Sequence, residues 1–516
     1  MQLFVKVYKN KYVDSLETLY ITSVVTAIEG VETAYVAMAT QGNKEIIRLL
    51  ELYNEEIDEA KDGDLVITMM AETEDIFIKA IKDATSSSTS ASAGEAEETY
   101  LSTLAAVKAH PDANICIISV PGEYALDEAK KAMDNDLHCF VFSANVPPED
   151  ELKMKEIARE KGLLCMGPDC GVANINGAAF MLGSITNRGP FGICGASGCG
   201  VQHVGAMLHD AGTGVSQIIG TGGGDLKEPV GGISMLMGLE ALENDPDTSY
   251  IVLISRKPAE AILKKLLERI SRCEKKIVAF FMGATKEEVE ASGAIWAENL
   301  DDCGQKALAL VGKECLLAGD DEIGKMAREA IKGMNKEQKY VRGAFLGGTY
   351  CDEAMRAMQA KIGPINSNAP LAPELRLADS NQSVANSVID YGEEEFTIGR
   401  PHPTIDGGLR KPAILKEAND PETAVLLMDF ILSPPGLMEP VDALSEEFKK
   451  AQKLAESRGG RLAIVAAVLG TDADFQNANI QREKLREAGV YVCQTNYRAA
   501  LLAGEIIRLL NERDAQ

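Results

Sequence analysis

At 516 residues the chain is longer than the roughly 250–300 over which one hydrophobic core keeps growing, so several domains are expected. Its 46% hydrophobic and 25% charged content exclude a disordered or fibrous protein. The net charge of -26 excludes non-specific nucleic-acid binding, which needs clustered Lys and Arg, but leaves room for a local anion site built from backbone N–H groups and one or two cations.

Residues 1–84 alternate strand-like runs (LFVKVY, TAYVAMA, DLVITMM) with amphipathic helical ones, the pattern of a small α/β domain. The amino terminus has no basic start followed by an apolar core, and no run reaches the ~18–20 apolar residues of a membrane helix, so a cytoplasmic location is expected. Residues 85–98, nearly all small and polar (TSSSTSASAGEA), predict a flexible linker. A strand-then-helix rhythm fills 99–187 (ANICIISV, LHCFVFS, LLCMG), 188–334 (FGICG, SQIIG, YIVLIS, KIVAFFMG) and 338–512 (VRGAFLGG, AVLLMDFIL, LAIVAAV, VYVCQ). Apolar strands without alternation, separated by helices, indicate α/β domains with parallel sheets covered on both faces: a Rossmann-like domain and then two flavodoxin-like ones. The eleven cysteines include no CxxC and have no histidine at ligand spacing, which predicts reduced thiols and no metal site.

Ligands of parallel α/β sheets bind beyond the carboxyl ends of the strands. Three glycine-rich turns lie there: the turn holding Ser197 and Gly198, then Gly222-Gly223-Gly224, then Gly347-Gly348-Thr349. Each is read either as a tight turn or as a phosphate cradle in which glycine admits the ligand and a helix start donates N–H groups. Gly399-Arg400-Pro401-His402-Pro403 is read either as a stiff connector with a capping histidine or as a site where Arg400 clamps an anion and His402 moves a proton. Cys170, in a GPDCG turn far from any histidine, is read as a buried apolar thiol, and His203 is held in reserve.

Residues 113–334 resemble the α subunit of succinyl-CoA synthetase, with GPDCG matching its GPNCPG and GPFGICGASGCG its phosphate-site helix start; VAAVLGTDAD resembles the last domain of the β subunit. The order MGPDCG, GASGCGVQ, GGGDL, VGGIS, KPAEA, FLGGTYCDEA and DYGEEEFTIGRPHPTID resembles the FdrA family over nearly the whole chain. Three departures from the synthetase stand out. Its MGHAGAI motif falls on Val289–Ile295, so Ala291 occupies the phosphohistidine position; the glutamate that holds that histidine falls on Arg256; and residues 1–84 carry no GxxGxxG for CoA, nor is an ATP-grasp domain present. The resemblance therefore implies an acyl-phosphate cleft without machinery to make an acyl phosphate from ATP, and a subunit of an oxamate-type carbamoyltransferase of purine and allantoin breakdown. In that reading Ser197, Gly198 and the other glycine-rich turns bind phosphate or carbamoyl phosphate, Arg256 and Lys257 add charge, and Arg400 and His402 serve the oxamate. Other carbamoyltransferase subunits are the implied partners in an oligomer, no cofactor is required, and CoA is not expected to bind. The alternatives are an acyl-CoA ligase with a separate nucleotide-binding subunit, and a non-catalytic assembly subunit.

Overall fold

A computed structural model describes all residues of the chain except 12, 14, 27, 29, 51, 88–98, 257, 398–401, 406 and 516. It divides into two compact units: residues 1–99 with 393–408, and residues 100–392 with 409–516.

In the first unit, strands Gln2–Tyr8 and Val31–Met38 flank Leu65–Ala71, both antiparallel to it. The central strand is apolar but for Thr68, whose buried hydroxyl donates to the Leu52 carbonyl at 2.6 Å, because both its faces are covered. Leu65, Ile67 and Met69 pack with Ile21, Val25 and Phe77, while Val66 faces Ile46, Ile47 and Leu52. The helix Glu74–Ser87 continues three residues into the expected linker; the remainder of that linker, 88–98, lies outside the described residues.

The second unit holds three sheets. Ile115–Ile118, His138–Val141 and Cys165–Met166 form a small parallel one. A seven-stranded sheet follows in the order Ile295–Trp296, Lys276–Phe281, Tyr250–Ser255, Arg188–Gly195, Val215–Gly220, and then a hairpin of Val172–Ile175 with Ala178–Met181. The hairpin turns on Asn176 and Gly177, both at positive φ (52° and 88°), the geometry that suits a two-residue connection. The third sheet is wholly parallel: Asn366–Ser367, Ser387–Asp390, Tyr340–Phe345, Thr423–Ile431, Ala463–Leu469, Tyr491–Cys493.

Numbered within each block, the five parallel strands of the second sheet and the five long ones of the third both run 2-1-3-4-5, the flavodoxin-like order. That order puts a switch point beside the first strand of each block, where the crossover helices leave to opposite faces and a crevice opens. Among the described residues no helix is long and apolar enough to cross a membrane.

Candidate functional site

The two switch points meet. Strand Arg188–Gly195 passes through Ala196 and Ser197 into the helix Gly198–Asp210, and strand Tyr340–Phe345 passes through Leu346 and Gly347 into the helix Gly348–Ile362. Ser197 caps its helix by accepting the Gly200 N–H at 3.0 Å, and the same Oγ lies 2.9 Å from Thr349 Oγ1. Arg256, the first residue beyond strand Tyr250–Ser255, donates from Nη2 to the Gly348 carbonyl at 3.0 Å. Gly348 has no room for a side chain, since a methyl there would sit 2.5 Å from Asp390 Oδ2. Gly198 is exposed and Arg256 and Gly348 are half-buried, so the meeting point opens outward while the hydroxyl pair beneath is buried. First-turn N–H groups have no helical acceptor, so two sets of donors, two hydroxyls and a guanidinium converge here.

The cleft also contains carboxylates. Asp429, inside strand Thr423–Ile431, accepts the N–H groups of Leu346 (2.8 Å) and Gly347 (3.0 Å), with Arg410 Nη1 at 3.7 Å. Burial pushes Asp429 up to about 6 despite Arg410, and pushes Arg410 down to about 10. Asp390, ending strand Ser387–Asp390, is buried and accepts from Gly392 N at 2.9 Å. A helix start ordinarily lowers a thiol's pKa, but burial together with Asp429 and Asp390 pushes Cys199 upward. Asp390, Asp429 and Arg410 were not among the expected residues, although an acidic residue in an apolar strand run is a signal in itself, because burial must be compensated.

Two of the three glycines of the Gly222–Gly224 turn pack on protein: Gly222 lies against the Pro168 carbonyl and Gly224 against the Glu151 carboxylate, while Gly223 is exposed; Thr221 O accepts from buried Lys155 at 3.0 Å. Gly222 and Gly224 serve close packing, as the turn reading has it. Lys257 and Arg400 lie outside the described residues. His402 groups with the first unit, where its Nδ1 accepts the Thr404 N–H at 3.2 Å and burial pushes it down to about 4; it is a neutral turn cap. Cys170 is buried with its thiol pushed up to about 12 by burial. Ala291 is exposed at the end of the helix Lys286–Ala291. His203, held in reserve, is bonded to Tyr350 and Asp301 beneath the cluster.

Two flavodoxin-ordered sheets with apposed switch points, following a small parallel sheet, define an α/β protein of CoA-ligase type. Accordingly, the CoA-ligase family model matches residues 344–506, and a model described as AllF, heavy metal-associated domain, matches residues 1–103. The chain belongs to the family of the Escherichia coli (strain K12) uncharacterized protein YahF, to which it is 41% identical over 98% of its own length and 99% of the relative's. It is also 30% identical to the succinate–CoA ligase (ADP-forming) subunit alpha of Methanothermobacter thermautotrophicus, over 34% of this chain and 59% of that one. For subunit alpha-2, mitochondrial, of the same ligase from Trichomonas vaginalis the identity is 30%, over 44% and 75%. Among solved structures, the apo dinucleotide-forming acetyl-coenzyme A synthetase 1 of Ca. Korarchaeum cryptofilum aligns over 78% of this chain and 84% of that one, at 15% identity and a TM-score of 0.31.

The donor set of residues 1–103 does not fit a heavy metal. Soft ions take thiolate, imidazole and thioether ligands, and this stretch contains neither Cys nor His, leaving thioethers alone. Its four methionines do not gather: Met69 is fully buried in one core cluster with Met38 packed against it, Met70 packs against the other cluster, and Met1 is exposed. Among the described residues no group of three or more His, Cys, Asp or Glu could hold a metal. Adding Cd(II) to the full chain should leave hydrogen exchange in peptides from residues 1–87 unchanged; protection there on metal addition would overturn this reading.

Proposed function

We propose that the chain is an FdrA-type subunit of an oxamate-type carbamoyltransferase, which interconverts oxalurate and phosphate with oxamate and carbamoyl phosphate. The observation that carries this reading is the apposition of two helix starts, tied by Ser197 and Thr349, with the Arg256 guanidinium bonded to the Gly348 carbonyl, in a scaffold whose covalent phosphate-relay position is Ala291. The N–H groups of the Gly198 and Gly348 helices and the Arg256 guanidinium hold the phosphate. The oxamate nitrogen attacks the carbamoyl carbon, the new N–C bond forms as the C–O bond to phosphate breaks, and the nitrogen's proton leaves with phosphate. Carbamoyl phosphate brings its own leaving group, so positioning and charge stabilisation suffice and no protein nucleophile is needed. Neutral Cys199 accords with that, and the buried carboxylates Asp390 and Asp429 offer acceptors suited to carbamoyl N–H groups.

The second reading, an acyl-CoA ligase working with a separate nucleotide-binding subunit, is favoured by the CoA-ligase match over 344–506. The two differ in what they do with nucleotide. We expect no acid-labile phosphate on any histidine after incubation with γ-labelled ATP or GTP, and we expect phosphate release from carbamoyl phosphate that depends on oxamate when the chain is combined with its partner subunits. A stoichiometric acid-labile label would replace the first reading by the second.

A further inference from the structure

Directly beneath the apposed helix starts runs a buried chain of polar side chains. His203, on the Gly198 helix, has Nδ1 2.8 Å from the Tyr350 hydroxyl and Nε2 3.2 Å from Asp301 Oδ1. The other oxygen of Asp301 accepts from Thr495 Oγ1 and Arg498 Nε, each at 3.0 Å. Asn496 donates to the Tyr350 carbonyl (3.0 Å) and to Glu353 Oε2 (2.9 Å), while Glu353 Oε1 accepts the Leu300 N–H at 3.2 Å. His203, Asp301, Tyr350, Glu353 and Asn496 are all buried. A carboxylate can only accept, so the proton of a neutral imidazole sits on Nε2, and Nδ1 is left to accept from the Tyr350 O–H.

The sequence positions of these groups carry the argument. Tyr350 directly follows Thr349, and His203 lies six residues beyond Ser197 on the same helix, so Thr349–Ser197 and Tyr350–His203 are two ties between the same pair of helices. Apolar side chains would hold two helices together without the desolvation cost of burying a histidine, a tyrosine and a carboxylate. What a directional hydrogen bond adds over apolar packing is a fixed distance and rotation.

We infer that His203, oriented by Asp301 and bonded to Tyr350, is a positioning residue that sets the spacing of the Gly198 and Gly348 helix starts so that one tetrahedral anion takes N–H groups from both. The inference rests on the anion site proposed above. It predicts a specific rank order. In His203→Gln the amide keeps a donor toward Asp301 and an acceptor toward Tyr350, whereas His203→Leu keeps neither.

Calorimetric titration of the full chain with inorganic phosphate, well below the unfolding temperature, tests it. Phosphate affinity should fall at least about tenfold in His203→Leu, as expected for a charge-assisted hydrogen bond lost to misplacement, and His203→Gln should keep most of it. Should His203→Leu fail to fold, Tyr350→Phe, which removes one hydroxyl, is expected to weaken binding in the same direction. Unchanged phosphate affinity in folded His203→Leu, or in Tyr350→Phe if that variant alone folds, would overturn the inference while leaving the anion site standing. Absence of phosphate binding by the unaltered chain would instead remove the anion site, and the inference with it.

Discussion

Replacing Lys155 by methionine is expected to lower the stability of the second unit by about 3–5 kcal/mol, the cost of breaking a buried ion pair from one side. Lys155 has no exposed side-chain surface, and its Nζ lies 2.7 Å from Glu151 Oε1, 2.9 Å from Asp225 Oδ1 and 3.0 Å from Thr221 O. Burial alone would depress its pKa, but Asp225 and Glu151 outweigh that and raise it, so the ammonium stays charged. Methionine fills similar volume, so the loss is electrostatic: two buried carboxylates remain without their cation. Asp225 also accepts the N–H groups of Ser234 (3.0 Å) and Met235 (2.9 Å), which softens the loss on its side, whereas Glu151 has less compensation. The Lys155→Met variant should therefore unfold at markedly lower denaturant, and adding Glu151→Gln and Asp225→Asn should recover part of the loss. A shift worth less than about 1 kcal/mol would show that water already screens the trio, as at surface pairs.

Arg256→Glu should reduce affinity for phosphate or carbamoyl phosphate by at least about tenfold. One charge-assisted hydrogen bond is worth about 1.5–3 kcal/mol, and the variant adds repulsion to its loss. The new carboxylate would approach Gly348, whose Cα already lies close to Asp390 Oδ2, so two negative groups would face the anion. Thermal stability without ligand should fall only slightly, because Arg256 is half-buried and makes a single bond, to one carbonyl. Titration of both ligands into the folded variant decides the matter, and unchanged affinity would mean that the anion does not bind where the two helices begin.

The sheets were legible because their strands are apolar on both faces: Thr423–Ile431 and Ala463–Leu469 are buried along their whole lengths. The turns holding Ser197 and Gly348 were legible for a similar reason, since glycine after a strand and before a helix is a local pattern. Which turns share a cleft was not, because strand order is non-local. Gly222–Gly224 and Gly347–Thr349 look alike as sequence, yet the first packs on Glu151 and Pro168 and the second on Ser197. The hairpin at Asn176-Gly177 was signalled locally but sits between strand–helix units whose rhythm hides it. The prolines beside His402 suggested a stiffened binding segment, but stiffness is equally what a turn requires, and the imidazole caps one. The helix to Ser87 exceeds its expected end because small polar residues tolerate a last helical turn.

Residues 393–408 belong to the compact unit of the amino terminus, although the chain enters them just after Asp390 and leaves them just before Arg410. The polypeptide therefore crosses between its units three times, and the amino-terminal piece is not a bead that can be cut away at residues 88–98. Phe396, Pro403, Thr404 and Ile405 are buried in the whole protein. A chain begun at residue 100 would keep that stretch while losing the residues it folds with, and exposed apolar surface of this kind invites aggregation. In evolutionary terms the two units are bound to change together: an amino-terminal domain exchanged between relatives would have to bring a matching 393–408 from the far end of the sequence, so recombination at a single breakpoint should be poorly tolerated.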